Sequence, residues 1–184
     1  QFVLYTNWVL YGSFKFGWGP PENGWSLAAV GVMSVLVQGW LLGVLLKRYS
    51  AQRLALAGLL SSSLAFVGWG AATQGWMIYA VIVANVLGYT VAAAMQSIVS
   101  SAADAQTQGQ TMGAVSSLNS LMAVIAPAIG APLLGVVSHL PQGDWRIGTP
   151  MYFCAALQTV ALVLAAIHFR GHRGLPDTTR TAPT

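Results

Sequence analysis

The feature that most constrains this chain is a set of five long runs without a single Asp, Glu, Lys or Arg: residues 26–46, 54–72, 76–99, 112–137 and 151–169. About 20 mostly apolar residues carry an α-helix across the hydrocarbon core of a bilayer. A backbone in lipid must satisfy its own N–H and C=O groups, and a helix does so within one segment. Each run is therefore expected to be a transmembrane helix. Charged residues make up 7% of the 184, against roughly 25% in an ordinary soluble domain, too few to coat a water-facing surface.

A sixth run, residues 2–14, is apolar but too short to span. The chain starts at Gln1 rather than Met and shows neither a basic leader nor a small-residue cleavage site. It is expected to begin inside a longer protein that completes the first helix. The expected fold is an all-α membrane protein of six transmembrane helices, the first truncated. Residues 1–169 form that domain and 170–184 a disordered cytoplasmic tail. Residues 15–24, with Gly17, Gly19, Pro20, Pro21, Glu22 and Asn23, are expected to form a turn-rich loop. Further connections are expected at 47–53, 73–75, 101–110 (with Asp104) and 139–149.

Six helices put loops 47–53 and 101–110 and the tail on one side, with Lys47, Arg48, Arg53, Arg170, Arg173 and Arg180, six of the eight basic residues. The other side keeps Lys15 and Arg146. Excess Lys and Arg marks the cytoplasmic side. Trp18, Trp25, Trp76 and Trp145 then fall at outer helix ends, where an amphipathic ring prefers the headgroup level. The net charge of +4 and pI near 9.6 do not mark a nucleic-acid partner, because scattered basic residues form no phosphate-tracking stripe.

Small residues at four-residue spacing, Ala80, Ala84, Gly88 and Ala92, suggest close helix packing along the fourth helix. Ala123, Pro127, Ala131 and Gly135 form a similar stripe on the fifth. Pro127 and Pro132 are expected to kink that helix, either as plain packing or to line a cavity that opens and closes.

Enzyme chemistry finds little support. His139, His168 and His172 lie at helix ends and do not converge, and no HExxH, GxSxG or Cys/His metal spacing is present. Cys154 stands alone and is read as a packing residue. No metal or other cofactor is expected. Uncharged polar residues inside the helices are more informative: Ser34 and Gln38, Asn85 and Tyr89, Gln96, Asn119 and Ser120, and Gln158. They serve either as interhelical hydrogen-bonding groups or as the polar lining of a path for an amphipathic solute. No intramembrane acid is present to take up a proton.

Several fixed spacings recur together. Phe16-Gly17-Trp18 precedes Ser26-Leu27-Ala28; Gln38 follows; then come Gln96, Ser100, Gln108-Gly109, Gly113, Ser117-Leu118 and Pro127. From about Trp8 to Phe169 this pattern resembles the second six-helix half of the major facilitator superfamily, within it the tetracycline-resistance-like drug/proton antiporters. The resemblance implies helices seven to twelve of a rocker-switch transporter, in which two six-helix halves alternate about a midplane site. It also implies proton-coupled efflux of amphipathic molecules, in a bacterial inner membrane. The implied partners are the lipid bilayer, a missing N-terminal half, a small-molecule substrate and protons.

On this reading Gln38, Asn85, Tyr89, Asn119 and Gln158 face the substrate cavity, and Gln96 sits near a cytoplasmic gate. Gly43, Arg48 and Arg53 match a remnant of the family's GxxxDRxGRR loop, with Lys47 where the acid would stand. Arg48 and Arg53 are then either gate contacts or topology anchors. Ser62 falls where the tetracycline exporters carry an aspartate, and a serine cannot carry that charge. Proton coupling would then reside in the other half. Three rival expectations stand beside this one: an importer of sugars or metabolites on the same fold, a non-transporting six-helix scaffold, and a membrane enzyme. A self-contained bundle would need two copies to form the cavity.

Overall fold

A computed structural model describes residues 2–102, 107–137, 139–141 and 144–171. Its helices are α1 (Phe2–Phe16), α2 (Pro20–Leu36), α3 (Leu42–Arg48), α4 (Ala51–Ala71), α5 (Gly75–Ala84), α6 (Val91–Ala102), α7 (Gln108–Val137) and α8 (Thr149–Gly171). A π-turn at Val37–Leu41 fuses α2 and α3 into one 29-residue apolar helix, Pro20–Arg48. That helix, α4, α7 and the stretch Trp145–Arg170 are each long and apolar enough to cross a membrane. The pair α5 and α6 makes a fifth span, bent by 55°. With the 15-residue α1, the chain is the expected all-α membrane fold of six helical segments, the first too short to span.

The connections are tighter than the sequence suggests. α2 starts at Pro20, so Glu22 and Asn23 lie inside its first turns rather than in a loop. Proline suits a first helical turn, where its missing N–H has no partner to lose. The Glu22 carboxylate accepts a hydrogen bond from the Gly19 N–H at 2.9 Å. Only residues 17–19 separate α1 from α2, and Gly17 turns the chain at φ 68°, a conformation natural only to glycine. At the other end, Arg170 and Gly171 close α8 instead of opening the tail. The rest of the expected tail, with His172, Arg173 and Arg180, lies outside the described residues, as does Asp104.

α4 is the axis of the bundle. It packs along α8, α5, α6 and the 3₁₀ turn Leu87–Thr90. α1 packs on α7. The core is rich in large rings: Trp8, Tyr11, Phe66 and Trp69 lie buried with Ile78, Ile82, Leu134, Ile147 and Met151. Trp8 and Phe66 each meet Trp69 edge-on, at 5.3 and 5.6 Å between centroids.

Two expectations about packing are corrected. The fourth span is not a continuous helix: it breaks at Asn85 and Val86, and Ala80, Ala84 and Ala92 point outward. Its buried line is Ile78, Ile82, Asn85, Gly88, Val91 and Ala94. On α7 the stripe of Ala123, Ala131 and Gly135 is likewise exposed, and Ala126, Gly130, Leu134 and Val137 are buried instead. Large apolar groups and glycines share the inner face because neighbouring side chains fill the notches that glycines leave. α7 itself runs as one helix through Pro127 and Pro132.

Lys15 is the most unexpected member of the core. It is not a loop residue but the last turn of α1, 1% exposed. Its Nζ donates to the Gly70 carbonyl, and the Tyr11 hydroxyl donates to the Trp69 carbonyl at 2.6 Å. Those are two of the last carbonyls of α4, which have no partner within their own helix. A cation is also favoured at this negative end of the helix dipole. The Asp144 carboxylate adds a second electrostatic attraction. Gly70 is crowded from two further directions: a Cβ there would lie 2.5 Å from the Tyr152 ring, and a Cβ on Gly148 would lie 2.3 Å from the Gly70 oxygen. α1, α4, α8 and the turn Trp145–Gly148 therefore converge on one backbone position.

Tyr11→Phe should lower stability by about 1 kcal/mol, the worth of one hydrogen bond. Lys15→Ala, which also empties core volume, should cost more. Thermal unfolding of the purified protein in detergent reads both, and equal stability of all three proteins would exclude this capping role. Gly88→Ala, whose Cβ would sit 2.1 Å from Asn85 Oδ1, should cost about 1–3 kcal/mol through overpacking, read as a lower unfolding temperature.

Candidate solute path

The polar residues inside the spans fall into three groups. The first is a fan of consecutive serines on α4. Successive helix positions are about 100° apart, so each serine faces a different neighbour. Ser61 Oγ donates to Asn85 Oδ1 at 3.0 Å. Ser63 Oγ bonds Thr159 Oγ1 at 2.7 Å and the Ala155 carbonyl at 3.3 Å on α8. Ser62, buried between them, presses on Gly88, where an added Cβ would come within 2.6 Å of its Oγ.

The second group surrounds the break in the fourth span. Asn85 is 8% exposed and held by Ser61. Half-buried Tyr89 reaches back to the Ile82 carbonyl at 3.4 Å. Thr90 Oγ1 donates to the Leu87 carbonyl at 2.7 Å. These hydroxyls occupy carbonyls that a regular helix would have bonded, which is how a helix can change direction inside lipid. A Cβ on Gly58 would fall 2.6 Å from the Leu87 oxygen, so α4 approaches this turn backbone to backbone.

The third group lies at the surface of the bundle, exposed or half-buried. Gln38 lies in the π-turn, and its Nε2 donates to Ser34 Oγ at 2.7 Å. The π-turn and the Leu87–Thr90 turn touch each other. Two interruptions of helical geometry on different spans thus meet within the apolar segments, and Gln38 and Tyr89 sit one in each. Gln96 and Asn119 come together elsewhere, on opposite walls of a groove between α6 and α7. Gln158 is half-buried on α8. The expected residues therefore do not form a single cluster. Gln38 and Tyr89 lie on contacting turns, Asn85 is tied to α4, and Gln96 shares a groove with Asn119.

Arg48 and Arg53 are both exposed at the end of the bundle opposite Gly70. Arg48, with Lys47, occupies the last turn of α3, where the helix dipole favours a cation. Arg53 occupies the first turn of α4, where the same dipole opposes one, beside Tyr49, Leu54 and Leu87. Among the described residues no three His, Cys, Asp or Glu side chains are grouped to hold a metal. The serine fan and the two turns were missed as units by sequence reasoning; Ser61-Ser62-Ser63 was their one visible signal.

Comparison with known proteins bears on this arrangement. The Major Facilitator Superfamily profile matches residues 1–184. The class D tetracycline resistance protein of Salmonella ordonez is 35% identical over 148 residues, covering 80% of this chain and 38% of that protein. The class E tetracycline resistance protein of Escherichia coli is 31% identical, covering 83% and 38%. Hippocampus abundant transcript-like protein 1 of Homo sapiens is 25% identical, covering 68% and 25%. The chain thus spans less than half the length of these relatives. No solved structure matches. Six apolar helical segments, spans interrupted at polar residues and a profile match along the whole chain together place this integral membrane protein in the Major Facilitator Superfamily.

Proposed function

We propose that this chain is the C-terminal half of a secondary transporter that exports amphipathic small molecules in exchange for protons across a bacterial inner membrane. The observation that carries the reading is the contact between the π-turn Val37–Leu41 and the 3₁₀ turn Leu87–Thr90. Irregular backbone at membrane depth is tolerated where it is buried in protein or lines a cavity, and transporters build their sites from such discontinuous helices. Gln38, Asn85, Tyr89, Asn119 and Gln158 contribute the polar lining, and Pro127 and Pro132 give α7 the compliance to move. Likeness to tetracycline resistance proteins supports efflux.

The other half would cover the least buried span, Pro20–Arg48, and would bring the acids that bind protons. The end carrying Lys47, Arg48 and Arg53 would be cytoplasmic, with the tail 170–184 on that side. Arg53, placed against its helix dipole, and Gln96 would serve the inner gate. Tetracycline itself is not carried over as a substrate: by resemblance Ser62 falls where the exporters carry an aspartate, and a serine cannot carry that charge.

In inverted vesicles holding the intact encoded protein, an imposed proton gradient should drive uptake of a fluorescent amphipath without an ionisable group. Gln38→Ala and Asn85→Ala should each reduce the rate several-fold at unchanged protein abundance. Unchanged rates in both would remove these residues from the path. Movement in the opposite sense would make the protein an importer, and no flux would leave a scaffold.

A further inference from the structure

The groove between α6 and α7 has a chemistry of its own. Its volume is about 380 Å³, and it is lined by Met95, Gln96, Met112, Ser116 and Asn119 among smaller apolar residues. Small-molecule sites run from roughly 300 to 1,000 Å³ and combine an apolar wall with a few polar groups. Among the described residues no ionisable side chain lines this one. Gln96, Ser116 and Asn119 have no hydrogen-bond partner among the described residues. Polar groups in an apolar span are costly while unpaired, so these three are placed to receive a partner.

A second groove, between α2 and α5, provides the contrast. Trp25, Ala28, Val32, Tyr79 and Val83 line it almost wholly with carbon, which suits an acyl chain. The α6–α7 groove instead offers two carboxamides, each with donors and an acceptor, and one hydroxyl. Met95 and Met112 add flexible, polarizable walls that contact aromatic rings favourably and adapt to different shapes.

We propose that the α6–α7 groove is an entry site for uncharged aromatic amphipaths that carry both hydrogen-bond donors and acceptors. It deepens the transporter reading, on which its purpose rests: Gln96 would meet the solute at the inner gate before it reaches the contacting turns. A net charge disfavours binding, because none of the described residues in the wall carries an opposite charge to offset the loss of its hydration.

The test uses the intact encoded protein in phosphatidylcholine nanodiscs, with empty nanodiscs as the reference. The probes are neutral 7-amino-4-methylcoumarin and its anionic 3-acetate relative. Saturable binding of the neutral dye should be at least about tenfold tighter than that of the anion. The double substitution Gln96→Leu, Asn119→Leu should weaken the neutral dye by at least about tenfold, the loss expected from two hydrogen bonds. Equal affinity for the two dyes overturns the proposal without recourse to any variant. So does a double variant that binds like its parent. Absence of saturable binding also overturns it, and means that lipid or the other half fills the groove. Selective binding of the dye without proton-driven movement would sink the transporter reading and leave the site standing.

Discussion

The bundle is anchored where α1 closes the end of α4. The last carbonyls of any helix lack partners, and inside an apolar segment no water is at hand to supply them. Here Tyr11 and Lys15 supply two of them. That arrangement puts an ammonium group in the core, where burial opposes its charge more than Asp144 favours it, and the Gly70 carbonyl and the helix dipole help to offset the cost. Because Gly70 has no side chain, the ring of Tyr152 and the backbone of Gly148 can press on it as well. Four elements share one point, and the relative positions of α1, α4 and α8 follow from it.

Away from that end, α4 organises the bundle by small and hydroxylated residues. Gly58 admits the backbone of the Leu87–Thr90 turn, Ser61 holds Asn85, and Ser63 holds α8 through Thr159. Without a hydrophobic drive between helices in lipid, close backbone approach and side-chain hydrogen bonds are what remain to bind them. The same contacts stabilise the bend at Asn85, since Ser61, Tyr89 and Thr90 engage groups around the break. Packing and the irregular backbone around Asn85 thus depend on the same few side chains.

Sequence reading located the spans well because length and the absence of charge are local properties. It erred where an element's role depends on its neighbour. Lys15 adjoins the turn-rich residues 17–23 and is expected in their loop, yet it caps another helix 55 positions away. Ala80, Ala84 and Ala92 have the spacing of a packing stripe, yet they face outward, because Asn85 interrupts the helix and Gly88 alone of that series is buried. Pro127 and Pro132 lie inside α7, which runs through both as one helix. The break came in the proline-free fourth span, where hydroxyls could occupy the displaced carbonyls.

By itself the sequence determined the solvent, the fold class and the number of helical segments, because a bilayer imposes length and charge rules that single segments must obey. It also determined which residues are polar within those segments. Only the tertiary structure decided which of them have partners. Asn85 is bound to Ser61, Ser62 lies close against Gly88, and Gln96 and Asn119 line one groove without bonding each other. The physical reason is that hydrogen bonding and close packing are pairwise, and the second member of each pair lies on another helix.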